Sequence, residues 1–204
     1  MKKLHTKPLG KTILVLFMCA MTLACGIPKM LLCRNSRMRV SRQQAQQLLL
    51  PIAAFPGDWA YQTPQPGDEL QHSESYYHAQ RFVLAMYHNT AYPDDSTAWH
   101  DIAVYGSEDC ALADSSQWLN EQNYIGWEPL RTWRYTSPIA DEYDFKITYF
   151  PDRGCGPSRG RLRVRVLARY GVVISDFYAY LCADDVTPDQ VKALVIALDD
   201  QFAA

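Results

Sequence analysis

The residues whose types and spacing most suggest chemistry are a row of arginines. Arg161, Arg163 and Arg165 alternate with Leu162, Val164 and Val166, and Arg153 and Arg159 lie just before them. Successive side chains of a strand point to opposite faces, so these guanidiniums share one side of a ribbon. Guanidinium forks match carboxylates and phosphates, and the row reads as a candidate strip for a small anion or an acidic protein partner. The same row also fits a solvated face, balanced by Asp176 and nearby acids, that discourages edge pairing. The five histidines offer less. His88 and His100 could meet near Asp101 if their strands pair, and a histidine beside a carboxylate is what a hydrolase would need. The acidic pairs Asp94-Asp95, Asp141-Glu142, Asp184-Asp185 and Asp199-Asp200 lack EF-hand spacing and fall mostly at turns or helix ends. No Gly-x-Ser-x-Gly elbow, phosphate-binding glycine loop, His-Glu-x-x-His helix or Cys-x-x-Cys pair occurs. The residues therefore assign no catalytic group, no metal ligand and no cofactor, and the reading leans away from an enzyme.

Charge divides the chain. Its 204 residues carry a formal net charge of −2, with 20 Lys and Arg against 22 Asp and Glu. Residues 1–42 hold nine of the basic residues and none of the acidic ones, so the remainder carries 20 − 9 = 11 basic against 22 acidic, a balance of −11. An acidic globule behind a basic leader argues against nucleic-acid binding. With 13 Tyr, 7 Phe and 5 Trp the globule can fill a sizeable core.

Lys2, Lys3, Lys7 and Lys11 precede the apolar run Ile13 to Ala24, the pattern of a secretory signal. That run is shorter than the ~20 residues of a spanning helix. It closes on Thr22-Leu23-Ala24-Cys25-Gly26, which resembles the lipobox of bacterial lipoprotein precursors. That family usually has Leu three places before the cysteine, where this chain has Thr22, with Leu23 one place later. The resemblance implies a signal peptide over 1–24, acylation (palmitate among the chains) on Cys25, and a membrane anchor on the extracytoplasmic side, in the bacterial cell envelope. An ordinary signal, or an uncleaved anchor with Cys25 merely buried, is the alternative. Residues 25–42 read as a basic linker and 43–204 as one domain. Export would bring an oxidising compartment. There Cys155 and Cys182 are the candidate disulfide, with Cys110 the rival partner and buried free thiols the other possibility.

The elements that must position the arginines follow from periodicity. Arg161 to Leu181 reads as a β-hairpin turning at Tyr170-Gly171, which sets Arg161 opposite Tyr180, Arg163 opposite Tyr178, Val164 opposite Phe177 and Arg165 opposite Asp176. Ser41 caps a short helix to Leu50, Phe55 to Trp59 is a turn, and residues 62–75 form a loop. Strands follow at Tyr76–His88 and Trp99–Tyr105, then a helix from Asp109 to Gln122 that buries Leu112, Trp118 and Leu119. Strands at Trp127–Tyr135 and Asp141–Phe150 precede a loop over 151–160. Thr187-Pro188-Asp189-Gln190 opens the last helix with a capping box, and Val191, Leu194, Val195, Leu198 and Phe202 give it an apolar stripe.

This order predicts an α+β domain, an antiparallel β-sheet with helices packed on it. In element order it resembles the Mog1/PsbP-like fold and the extracellular sensor domains of some bacterial kinases, a likeness of shape without function. The expectation is an exported, lipid-anchored envelope protein acting as a non-enzymatic binding or accessory domain. The alternatives are an exported hydrolase using His88 or His100 with a nearby carboxylate, and a purely structural envelope component.

Overall fold

Alternation of apolar residues with a period of two builds the frame. In the computed structural model, which describes residue 33 and residues 40–62, 79–115, 128–130, 133–155 and 158–203, six antiparallel strands form one sheet. They are β1 (Trp59–Tyr61), β2 (Arg81–Asn89), β3 (Thr97–Val104), β4 (Glu142–Cys155), β5 (Ser158–Tyr170) and β6 (Val173–Cys182), in the order β1-β2-β3-β6-β5-β4. Three helices accompany them: α1 (Arg42–Gln47), α2 (Glu108–Ser115) and α3 (Pro188–Asp200). The fold is α+β. The proposed leader, Cys25, and the loop over residues 63–75 lie outside the described residues. Among the described residues no helix is long and apolar enough to cross a membrane.

One face of the sheet is the main core. Val83, Ala85 and Tyr87 of β2, Leu162, Val164 and Val166 of β5, and Phe177, Ala179 and Leu181 of β6 meet Val191, Leu194, Val195 and Leu198 of α3. Each such side chain contributes roughly 1.5–3 kcal/mol when fully buried. α3 starts where its sequence signals it: Thr187 and Gln190 form a reciprocal capping box with Pro188 in the first turn. The second face carries a smaller apolar cluster, in which Phe82, Leu84, Ala103, Leu167 and Ile174 meet Ala111 and Cys110 of α2. Cys110 is bridged to Cys33, which ties the segment read as a basic linker to α2. That pairing was not anticipated.

Several expectations need correction. The hairpin turns at Gly171-Val172, so Tyr170 faces Val173, Arg163 faces Tyr180, Arg165 faces Tyr178 and Arg161 faces Cys182. Only Gly171 of this turn takes a positive φ, +59°, as a type II′ turn requires. The Asp141 carboxylate accepts the Gly171 N–H at 2.6 Å, a contact 30 residues away in sequence that favours this turn over its neighbour. The register moves by two places, so every side chain keeps its face. The predicted loop after Phe150 is instead the continuation of β4, bent by a bulge between Phe150 and Gly154. Cys155 and Cys182 are joined, closing the end of this extension onto β6. Ser107 rather than Asp109 receives the first-turn bonds of α2, from the N–H groups of Cys110 and Ala111. Leu112 is 44% exposed, because Cys110 and Ala111 take the inward positions. Trp133 and Tyr135 are not in a strand; they pack on Phe145 and Tyr143 of β4. Trp118, Leu119 and Trp127 lie outside the described residues.

Gly160 holds the β4–β5 ribbon closed. Its φ is +104°, and a Cβ there would stand 2.5 Å from the Tyr149 ring. Gly160→Ala should therefore destabilise the protein by about 2 kcal/mol through strain and overpacking. Urea unfolding measures this, and an unchanged midpoint would contradict the close approach.

Candidate anion-binding site

Because β5 alternates, the second face of the sheet receives Arg161, Arg163, Arg165 and Arg169, and β4 adds Lys146 beside them. These cations are not solvated. The side chains of Arg161, Arg165, Arg169 and Lys146 are only 12–15% exposed. A charge so poorly hydrated needs a partner. Arg165 grips Asp176 with two bonds, Nε to Oδ1 at 3.3 Å and Nη2 to Oδ2 at 3.1 Å. Arg169 reaches both Asp141 and Glu142 at 3.2 Å. Lys146 pairs with Asp144 at 2.8 Å, and Arg161 with Asp95 at 2.8 Å.

Arg163 and Arg153 differ. Neither has an acidic partner among the described residues. Both guanidiniums lie over the same ring, that of Phe150, at 5.6 and 5.7 Å from its centre. The two charges are thus at most about 11 Å apart, little more than the Debye length of about 8 Å at physiological salt. The Tyr178 hydroxyl, close to the Arg163 charge, donates to Tyr180 at 2.7 Å. Burial and the Tyr180 bond push the Tyr178 phenol up to about 12, so it stays protonated. Two further groups here are unsatisfied. The Thr148 hydroxyl, directly opposite Arg163, and Nε of Arg161, directly opposite Phe150, are both buried without a hydrogen-bond partner. Two guanidiniums without an acid beside an aromatic wall can hold an oxyanion.

Of the five arginines singled out in the sequence, two are committed to acids, at Asp95 and Asp176, and two are open. The Arg159 side chain lies outside the described residues. Thr148 and Phe150 were missed. Their only signal was their parity on β4, which matches the arginine face once β4 and β5 are paired.

The histidines do not meet. Their strands pair, but His88 faces Thr97 and His100 faces Ala85, which puts the rings on opposite sides of the sheet. His100 is wholly buried against Phe177. Its Nδ1 accepts the Leu50 N–H at 2.9 Å, so Nε2 carries the proton and donates to Ser175 Oγ at 2.8 Å. A general base for a serine would need the reverse, Nε2 accepting. Burial holds this imidazole neutral, down to about 3. With the Tyr87 hydroxyl on the Leu50 carbonyl at 2.6 Å, it clamps the end of α1 to the sheet. Among the described residues no group of three His, Cys, Asp or Glu could hold a metal ion.

No protein-family model matches the chain, and no curated protein does. Among solved structures, the extracellular domain of PknH from Mycobacterium tuberculosis is similar at a TM-score of 0.43 with 11% identity, covering 83% of this chain and 100% of that one. At that level the likeness carries no argument about function.

One acid on this face is out of balance. Asp101 lies directly opposite Asp176, and its Oδ1 is buried with no hydrogen-bond partner. Burial first, and the Asp176 charge second, push its carboxyl up to about 8. The folded state then keeps a proton that the unfolded chain releases near pH 4. Stability attributable to this group is therefore full below about pH 4 and falls as pH rises towards 8, by up to about 1.4 kcal/mol per pH unit. Asp101→Asn should gain on the wild type steadily between pH 5 and 8 in denaturant titrations, then level off. A pH-independent difference would mean Asp101 is ionised in the fold.

Proposed function

We propose that this is an exported binding domain that captures an anion at Arg153 and Arg163. The observation that carries the reading is that these two guanidiniums share one aromatic ring and no carboxylate, although residues 43–204 are strongly acidic and the neighbouring described cations are paired. Leaving two cations unneutralised side by side costs stability, a pattern expected where a ligand completes the site. Export is supported by the two disulfides, Cys33–Cys110 and Cys155–Cys182, since such bridges persist in oxidising compartments. The lipobox-like run ending at Cys25 supports a lipid anchor in a bacterial envelope, which the mass of the mature N-terminal residue would test.

Anion binding is checked by thermal shift with sulfate. Sulfate also stabilises proteins by general exclusion, so the comparison is with variants. The wild type should gain more than Arg163→Gln, and the response should reappear in Arg165→Gln. That second variant should start about 1–3 kcal/mol less stable, because it strands Asp176. Equal sulfate responses in the wild type and Arg163→Gln would overturn the reading.

A further inference from the structure

Resting on that reading, we propose that the ligand group is the dianion of a phosphate monoester rather than a carboxylate. Charge is the first reason. Asp95, Asp176 and Asp144 each meet one cation, and Asp141 and Glu142 share Arg169 at the hairpin end of β5, whereas the Arg153 and Arg163 guanidiniums beside Phe150 meet no acid among the described residues. A carboxylate would neutralise one of them. A phosphate monoester carries about −1.5 to −2 at neutral pH, with a second pKa near 6, and neutralises both.

Donor count is the second reason. Two guanidiniums await acceptors, that of Arg163 on β5 and that of Arg153 in the bulged stretch of β4. A carboxylate offers two oxygens in one plane. A phosphate monoester offers three terminal oxygens arranged as a tripod, which suits donors that come from two strands and a bulge rather than from one edge. The third reason is the surroundings. The Phe150 ring lies under both free guanidiniums and the Tyr180 ring under Arg161 at 5.3 Å, so the organic part of an ester would rest on aromatic carbon.

The ligand's second ionisation provides the test. Calorimetry of the full chain would compare phenyl phosphate, benzoate and sulfate at pH 5 and pH 7.5. Phenyl phosphate should bind about tenfold more tightly at the higher pH as it becomes a dianion, while sulfate, a dianion throughout, should hardly change. Benzoate should bind at least about tenfold more weakly than phenyl phosphate at pH 7.5. Benzoate binding as tightly as phenyl phosphate, or a phenyl phosphate affinity indifferent to pH, would overturn the dianion while leaving anion binding in place. If none of the three binds, or all bind Arg163→Gln equally well, the site itself falls. The source of the monoester is separated by a further pair: a short-chain phosphatidate preferred over glycerol phosphate by tenfold assigns a lipid headgroup, and equal affinities assign a soluble ester.

Discussion

The structure depends on one constraint: an alternating Arg–apolar strand, placed in the middle of a two-sided sheet, buries a row of cations as surely as it buries a row of valines. Val164 and Val166 need the core beneath α3, so Arg163 and Arg165 must share the other face with α2 and its cluster. There the guanidiniums are too poorly hydrated to stand alone. The positions of Asp95, Asp141, Glu142 and Asp176 follow from that need as much as from any local preference. A pair so enclosed is weak support for net stability, but removing one partner is expensive. The row is thus held together by complementarity, and any member without a complement is conspicuous.

Polar groups on both faces of the sheet tie the helices and the hairpin together. On the core face several polar groups are paired, although the buried Tyr143 hydroxyl is not. His100 uses both nitrogens, on Leu50 and Ser175. Asp199 accepts from Ser137 and Tyr170 through Oδ1 at 2.6 and 2.8 Å, and from Tyr135 through Oδ2 at 2.8 Å, locking the end of α3 to the hairpin. The Tyr170 ring also stacks on Phe202 at 3.9 Å. On the arginine face, Thr148, Asp101 and Nε of Arg161 are left unsatisfied.

Much of this was legible in the sequence and some could not be. Alternation placed each side chain of the β5–β6 hairpin on its correct face, and the Thr187 capping box located α3. The turn was misread by one position because its decisive contact, Asp141 to the Gly171 N–H, joins residues 30 apart. The extension of β4 past Phe150 was read as a loop because Pro151 and three glycines suggest one, whereas the Cys155–Cys182 bridge and the bulge carry the strand through. The arginine strip was visible as a pattern. Which arginines are spent on acids was not, since Asp95 lies 66 residues from Arg161 and nothing local announces it.

The most direct measurement is anomalous diffraction from crystals of the protein soaked in selenate, a tetrahedral dianion whose position is read without reference to stability. The account predicts a selenium peak at the Arg153 and Arg163 guanidiniums, beside the Phe150 ring. A peak at Arg165 or Arg169 with none at that position would contradict it.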